Sequence, residues 1–343
     1  MTGLRLHARL RVAAAAVTLL PLAAGCTIGD VSHLTEETEA PGQYPVTVES
    51  CGEEVTVREA PSRVVVNDPA IFELLIELDL GDHIAGYAGA GAKRNIPAEY
   101  AEQYATIPEL NEADFTLDDI VEAQADFVIA GWLQGFNEQT GPTPGELRAE
   151  GISSYVLSET CRRVLDNLPP ASVDEYFTDV RNIAALFGAD ERASELIGEW
   201  QAGILAVQEC VSESQRPPAR VVTIGGGDSE VADTAPGLTF ASFLDRLAGG
   251  ENIFSEVPRL WGAMSWTAIA DQNPELIIIA DNATGPSPEE TLGLARSRPE
   301  LANVDAVIND RFLVLRRSEV YAGPMLVDGV QARAAAMHPD NCQ

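Results

Sequence analysis

Two tryptophans stand where the chain is expected to form loops, and both could bind a small molecule by stacking. Trp132 follows the apolar run 127–130, and Trp261 precedes the apolar run 276–280. Rigid aromatic faces in a crevice hold planar or greasy solutes, so we interpret both as ligand-binding positions, with packing inside the loops as the alternative. Trp200 has apolar neighbours at helical spacing and is predicted to lie in the core.

Motifs of catalysis are missing from the sequence. It contains no G-x-S-x-G, H-E-x-x-H, Walker or S-x-x-K pattern, which gives no support to an enzyme. The run Gly225-Gly226-Gly227-Asp228 lacks the third glycine of a dinucleotide fingerprint, and we interpret it as a turn that lets the backbone approach a crevice. Only His83 and His338 fall in the predicted folded part, so no cluster of imidazoles is predicted to capture a metal directly.

The first 45 residues are predicted to be a processing segment and a tether. Basic residues precede the apolar run 12–24, which is too short to cross a bilayer and ends in Leu22-Ala23-Ala24-Gly25-Cys26, a bacterial lipobox. Residues 1–25 are therefore expected to be a lipoprotein signal peptide and Cys26 the acylated residue. Residues 26–45 lack hydrophobic periodicity and indicate a flexible tether. These features predict a location on the outer face of the bacterial cytoplasmic membrane.

Four further cysteines remain for the folded part: Cys51, Cys161, Cys210 and Cys342. An even number in an oxidising compartment predicts two disulfides, and the absence of C-x-x-C spacing argues against a redox motif or a zinc ribbon. Three pairings are possible. The domain organisation described below favours Cys51 with Cys161 and Cys210 with Cys342, because each bond then closes a loop within one lobe.

The charge of the chain is strongly acidic, with 53 acidic against 22 basic residues and a net charge of -31. Nucleic-acid binding is not predicted from such a surface. The acidity suits a solubilising surface in a saline or extracellular setting, and attraction of a cationic ligand is the alternative interpretation.

Short strands alternating with helices predict an α/β fold with mostly parallel sheets in two lobes. After a hairpin at 46–57, strands are expected at 64–66, 84–87, 127–130 and 154–157, with helices beginning after Asp68, Thr116 and Thr143. Residues 172–210 carry only helical signals, and their second helix would be about 35 Å long. Strands return at 220–224, 276–280 and 312–315. We therefore predict an N-terminal lobe (46–171), a helical connector (172–213) and a C-terminal lobe (214–343), with a ligand cleft between the lobes.

Several stretches, taken in order, resemble the substrate-binding proteins of ABC importers for ferric siderophores, cobalamin and haem, whose two lobes are joined by a rigid helix. The likeness covers the chain from about residue 44 to its end. The stretches are Pro61-Ser62-Arg63-Val64-Val65, Leu78-Asp79-Leu80-Gly81-Asp82-His83-Ile84, Ala248-Gly249-Gly250-Glu251-Asn252-Ile253-Phe254, Asn273-Pro274-Glu275-Leu276-Ile277-Ile278 and Ala336-Met337-His338-Pro339.

The resemblance implies a shallow cleft lined by aromatic side chains, with Trp132 and Trp261 contributed by opposite lobes. Other candidate ligand-binding residues in loops expected to face the same crevice are Tyr87, Phe136, Asp228, Glu230, Trp266, Asn282, Glu319 and Tyr321. Arg316 and Arg317 either bind carboxylates of a chelate in a bidentate manner or form surface salt bridges.

Proteins of this family also present one glutamate per lobe to arginines of the permease. Glu138 is the matching residue of the N-terminal lobe. The sequence departs from the pattern in the C-terminal lobe, where Thr267 follows Met264-Ser265-Trp266 in place of the glutamate. Glu256 or Asp271 would then have to substitute for it.

The sequence therefore predicts a monomeric, lipid-anchored binding protein with no cofactor other than the lipid on Cys26. Its expected partners are a metal chelate, foremost a ferric siderophore, and an ABC permease. Cobalamin or haem are the alternative ligands, and no residue is clearly placed to be an axial ligand of haem iron. An enzyme of the cell envelope and a sensory or adhesion module are the alternatives from other classes.

Overall fold

The computed structural model describes residues 44–91, 96–282 and 285–342, and Cys26, the signal peptide and most of the tether lie outside these ranges. The strands are β1 (Val46–Ser50), β2 (Glu53–Val57), β3 (Val64–Asn67), β4 (Ile84–Ala88), β5 (Glu109–Asn111), β6 (Phe127–Trp132), β7 (Gly135–Phe136), β8 (Ser153–Val156), β9 (Ala219–Gly227), β10 (Val231–Thr234), β11 (Gly250–Asn252), β12 (Gly262–Ser265), β13 (Leu276–Ala280) and β14 (Phe312–Leu315). The helices are α1 (Pro69–Glu77), α2 (Ala101–Thr106), α3 (Leu117–Glu122), α4 (Pro144–Ala149), α5 (Val173–Phe187), α6 (Asp190–Ser214), α7 (Phe240–Leu247), α8 (Trp266–Gln272), α9 (Pro288–Ser297), α10 (Asp305–Ile308), α11 (Arg317–Val320) and α12 (Leu326–Met337).

Each lobe is built on one six-stranded sheet. In the N-terminal lobe, which holds β3–β8 and α1–α4, the strand order is β5-β4-β3-β6-β7, with β8 also paired to β6, and all these pairs are parallel. In the C-terminal lobe, which holds β9–β14 and α7–α12, the order is β12-β10-β9-β13-β14, with β11 beside β9. Here β10 is antiparallel to both of its neighbours. The predicted fold class, two α/β lobes with mostly parallel sheets, is confirmed.

Successive side chains of the central strands point to opposite faces of each sheet, and both faces are buried. In β3, Val64 and Val66 face one hydrophobic cluster and Val65 faces another. In β13, Ile278 joins the same cluster as Val64, whereas Ile277 packs in a cluster confined to the C-terminal lobe. The two lobes thus share one continuous core, and each has a second core on the far side of its sheet.

The helical connector contacts the N-terminal lobe near the beginning of α6 and is bonded to the C-terminal lobe near its end by the Cys210–Cys342 disulfide. Helix α6 has 25 residues and is therefore about 37 Å long. At its beginning Arg192 donates through Nε to the carbonyl of Glu77 at the end of α1, 2.8 Å away. Trp200, in its middle, is buried, as its helical spacing predicts, and it stacks on Phe177 of α5. Among the described residues no helix is long and apolar enough to span a membrane.

The two disulfides pair as expected, Cys51 with Cys161 and Cys210 with Cys342. The first ties the β1–β2 turn to the segment that follows β8. The second ties the last part of α6 to the end of the C-terminal lobe. Each bond therefore fixes a peripheral element to the lobe on which it packs.

The main strands and helices lie where the sequence predicts them, including the capping boxes at Thr116 and Thr143. Two local predictions were wrong. The glycines 225–227 continue strand β9 instead of forming a turn. Trp266 is the first residue of α8, capped by Ser265, and not a loop residue.

Candidate functional site

A cavity of about 260 Å³ lies where the two sheets direct the carboxyl ends of their strands toward each other. This is the edge at which α/β proteins place ligands, because the loops that follow the strands converge there. The N-terminal lobe lines it with Asn67, Asp68, Gly89, Asp114, Leu133, Gln134 and Arg163, and the C-terminal lobe with Asp233, Trp261, Asn282, Arg317 and Tyr321. We call it the inner cavity.

An ion pair between the lobes lies in the wall of the inner cavity. Nε of Arg317, at the start of α11, donates to Oδ2 of Asp68 at 2.6 Å, and its Nη2 contacts the same oxygen. Burial alone would lower the pKa of Arg317, but the Asp68 carboxylate, together with Tyr321 and Asp114, outweighs burial and raises that pKa. Asp68 has a φ of 100°, which is strained for a residue other than glycine, and its Oδ1 caps α1. The carboxylate that Arg317 binds is therefore Asp68 of the opposite lobe.

Three flat groups are stacked along the C-terminal side of this cavity. The guanidinium of Arg317 lies 4.3 Å from the ring centre of Tyr321, which stacks on Trp261 at 5.1 Å with 21° between the planes. The Tyr321 hydroxyl donates to Oδ1 of Asn282 at 2.9 Å, and Nδ2 of Asn282 donates to the carbonyl of Gly225. The stack is consequently held at Arg317 by Asp68 and at Tyr321 by Asn282, and Trp261 packs on the Tyr321 ring that these contacts fix.

Gly225 permits the close approach of this stack to strand β9. A Cβ atom at this position would lie 2.9 Å from the Trp261 ring and would clash with the Asn282 amide. The expectation that these glycines let the backbone come near a crevice is thus confirmed for Gly225, although they belong to a strand.

A second cavity of about 390 Å³, the outer cavity, adjoins the first. It is lined by Trp132, Leu133, Asn137, Glu138, Gln139, Arg163 and Val164. Leu133 and Arg163 line both cavities, and Leu133 is 52% exposed with a φ of 59°. Trp132 and Trp261 therefore line adjoining cavities and do not face each other across a single one. Leu133 and Arg163 occupy the boundary between the two cavities.

The segment that carries Arg163 is positioned by a buried carboxylate. Asp179 of α5 accepts hydrogen bonds from the backbone N–H and hydroxyl of Ser158 and from the Tyr155 hydroxyl. Glu159, the next residue, reaches the other lobe and accepts from the N–H of Phe240 at 2.8 Å. Burial raises the pKa of both acids to about 7, although these donors oppose it.

This raised pKa predicts that the protein becomes more stable as the pH falls through 7. An acid with a raised pKa binds its proton more tightly in the folded than in the unfolded chain, so the gain builds up below pH 7 and is complete near the unfolded pKa of about 4. For Asp179 the expected gain between pH 8 and pH 6 is about 1.4 kcal/mol. Asp179→Asn should lose this share of the pH dependence in urea unfolding, whereas exposed Glu199→Gln should keep it. If the free energy of unfolding changed equally with pH in Asp179→Asn and in the unaltered protein, the raised pKa would not belong to Asp179.

Three predicted ligand-binding residues lie in the protein interior. Tyr87 packs against Phe72 and Tyr104, and Phe136 packs against Phe115. Trp266 is buried in the C-terminal lobe, where its indole N–H donates to the carbonyl of Asp228. All three are almost fully buried, so the hydrophobic effect accounts for their positions.

Four other predicted residues lie outside both cavities. Asp228 and Glu230 are on the exposed β9–β10 turn, where the Asp228 carboxylate accepts from the N–H groups of Glu230 and Val231. Hydrogen bonds from these N–H groups lower the pKa of Asp228. Arg316 and Glu319 pair with each other at 3.0 Å and cap α11. For Arg316 the structure favours the salt-bridge alternative.

The residues that the sequence did not reveal are mostly those of the N-terminal side of the inner cavity. Asn67 and Asp68 directly follow β3, a position that could have been read from the strand prediction, but Asp68 was taken only as a helix cap. Asp114 accepts from Nδ2 of Asn67 at 2.8 Å, and no local pattern marks it. Arg163 and Asp233 lie on opposite lobes, and only the fold brings them together.

No group of three or more His, Cys, Asp or Glu side chains suited to hold a metal ion occurs in the described ranges. The site therefore offers its ligand stacking surfaces, hydrogen-bonding groups and a few charges, an arrangement suited to binding a preformed small molecule.

The profile of the periplasmic binding protein family matches residues 64–318, and the chain belongs to this family. It is 20% identical over 311 residues, 90% of each chain, to an uncharacterized ABC transporter substrate-binding lipoprotein, YvrC, of Bacillus subtilis (strain 168). Two similar solved structures are an ABC-type Fe3+-hydroxamate transport system protein from Saccharomonospora viridis and a periplasmic heme binding protein from Pseudomonas aeruginosa. The Saccharomonospora viridis structure has a TM-score of 0.75 and is 20% identical in sequence, and the match covers 86% of this chain and 99% of that chain. The Pseudomonas aeruginosa structure has a TM-score of 0.66 and is 18% identical, and the match covers 82% of this chain and 94% of that chain.

The protein is thus a periplasmic binding protein by family, and its curated relative is named as a substrate-binding lipoprotein of an ABC transporter. Its family and its curated relative are transport proteins that bind substrates, and both indicate a position outside the cytoplasm.

Proposed function

We propose that this protein captures a siderophore-type ferric chelate in the inner and outer cavities and delivers it to an ABC permease. The observation that carries the proposal is the fixed Trp261–Tyr321 stack in a cavity formed by both lobes. The two cavities, of about 260 and 390 Å³, meet at Leu133 and Arg163, and together they fall within the range of about 300–1,000 Å³ of ligand pockets. The solved relative named for Fe3+-hydroxamate transport supports the same class of ligand.

Capture in this proposal involves no covalent chemistry. The chelate enters between the lobes, one face rests on Trp261, and polar side chains of the N-terminal lobe bind its periphery. The indole N–H of Trp261 is buried and has no hydrogen-bond partner among the described residues, so an acceptor on the chelate would remove an energetic cost. The interlobe pair of Asp68 and Arg317 holds the two walls in register while the ligand exchanges.

Delivery requires two further features that the sequence predicts. Acylation of Cys26 would keep the protein at the outer face of the cytoplasmic membrane, and Glu138 would contact the permease. Glu138 is exposed and lines the outer cavity, close to the proposed cargo. We expect Glu138→Arg to abolish uptake while leaving the affinity for an uncharged chelate within about threefold of the unaltered protein, and unimpaired uptake would exclude the docking role.

The function is tested by titrating the signal-free chain, with Cys26→Ser to prevent acylation, against five ligand classes. Intrinsic tryptophan fluorescence is the readout, and the ligands are ferric hydroxamate, catecholate and citrate chelates, cobalamin and haem. We expect saturable quenching by a ferric siderophore-type chelate, because Trp261 and Trp132 line the two cavities. Saturation by cobalamin or haem alone would assign the protein to those alternatives, and turnover of a ligand would favour an enzyme.

A further inference from the structure

The charges that line the inner cavity do not match an anionic ligand. Among its described lining residues are three carboxylates, Asp68, Asp114 and Asp233, and two guanidiniums, Arg163 and Arg317. This leaves one net negative charge, and Glu138 adds another in the outer cavity. The whole chain, with a net charge of -31, reinforces the negative potential.

Arg317, the more buried of these two guanidiniums, is already paired with Asp68. Arg317 contacts Asp68 through two nitrogens, and Asp114 also acts on it and helps to raise its pKa. A carboxylate of a ligand would have to displace Asp68 from a buried pair and leave its charge without a cationic partner, which typically costs several kcal/mol. Arg317 is therefore poorly suited to recognise an anionic chelate.

Arg163 is the other cation among the described residues that line the inner cavity, and the carboxylates among these residues outnumber the guanidiniums. Its side chain is exposed, and none of the ion pairs between described residues includes it. It faces Asp233 of the opposite lobe; burial raises the pKa of Asp233, and Arg163 partly opposes this. Asp114, on the N-terminal side, is exposed and engaged only by an amide of Asn67 among the described hydrogen bonds. Within the described lining, two carboxylates, Asp114 and Asp233, and one guanidinium, Arg163, thus remain to interact with a ligand.

We infer that the cleft selects chelates without net negative charge, and that Asp114 and Asp233 receive hydrogen-bond donors or an ammonium group of such a chelate. This inference rests on the proposed function. Ferric trihydroxamates have the required chemistry, because three hydroxamates neutralise one ferric ion, and some carry a free amine. Triscatecholates and the propionates of haem bring negative charge against Asp114 and Asp233, and like charges brought together at an interface cost several kcal/mol.

The test uses one linear ferric trihydroxamate in three forms, with a free terminal ammonium, with that amine acetylated, and with it succinylated to give a carboxylate. We expect the cationic form to bind at least about tenfold more tightly than the anionic form at low salt, with the neutral form between them, and the difference to shrink as salt is added. The double variant Asp114→Asn with Asp233→Asn should bind the three forms within about threefold of one another.

A matched control separates the local from the global charge. Glu199→Gln with Glu209→Gln removes the same two charges from exposed positions of α6 and should leave the tenfold preference intact. Equal or tighter binding of the anionic form by the unaltered protein would overturn the inference and leave the proposed function standing. Failure of all three forms to bind, with the fold intact by circular dichroism and a ferric catecholate or citrate chelate bound, would overturn the inference alone. Failure of every ferric chelate to bind would overturn the proposed function and the inference with it.

Discussion

Trp261→Ala is expected to weaken binding of a neutral ferric trihydroxamate by about 30-fold or more. Buried aromatic anchors of this kind typically contribute at least about 2 kcal/mol to binding, and about 1.4 kcal/mol corresponds to a factor of ten. Trp261 is in addition pre-oriented by Tyr321, so little conformational entropy is lost when a ligand stacks on it. Isothermal titration calorimetry of the non-acylated chain measures the change directly.

Two variants show whether the loss reflects stacking. Trp261→Phe keeps an aromatic face and should recover most of the affinity, because the ring can still stack on Tyr321. Trp132→Ala changes only the outer cavity and should cost less than about tenfold. If Trp132→Ala proved more damaging than Trp261→Ala, the outer cavity would be the principal site and the inner one secondary.

Arg333→Met is expected to lower the free energy of unfolding by about 3–5 kcal/mol. Arg333 and Asp245 form an ion pair at 3.0 Å in which both side chains are 0% exposed, and Nη1 of Arg333 also donates to the carbonyls of Glu319 and Gly329. Removing one partner leaves a buried charge uncompensated, which is far costlier than losing an exposed pair. Urea unfolding monitored by circular dichroism provides the measurement.

The exposed pair of Arg148 and Glu53 supplies the control. Its side chains are 67% and 65% exposed, so Arg148→Met should cost less than about 1 kcal/mol. Replacing both buried partners, as Arg333→Met with Asp245→Leu, should recover part of the stability, because no unpaired charge remains. A loss in Arg333→Met no greater than that in Arg148→Met would show that the buried pair contributes little.

Much of the fold could be predicted because its signals are local. The apolar runs of β3, β6 and β13 are buried on both faces, and the capping residues Thr116 and Thr143 mark helix starts unambiguously. Strands β10 and β12 were missed because Val231-Ala232-Asp233-Thr234 and Gly262-Ala263-Met264-Ser265 have no run of β-branched residues. Their pairing depends on β9 and on contacts distant in sequence.

The site was predicted less completely, because side-chain direction depends on packing. Trp261, Tyr321, Asn282 and Arg317 are in the inner cavity, whereas Tyr87 and Trp266 are buried although both lie near strand ends. An aromatic residue at such a place can face either the core or the crevice, and its local sequence is the same in both cases. Asp233 also escaped notice, since it belongs to a strand that was not predicted.

The core that runs continuously from Val64 to Ile278 also bears on how cargo leaves the protein. Because the two halves share this core, the receptive shape exists before cargo arrives, and little affinity is lost to reorganisation. The same rigidity means that bound cargo does not by itself separate the halves. We therefore expect unloading to depend on force applied from outside, by the transporter that receives the cargo.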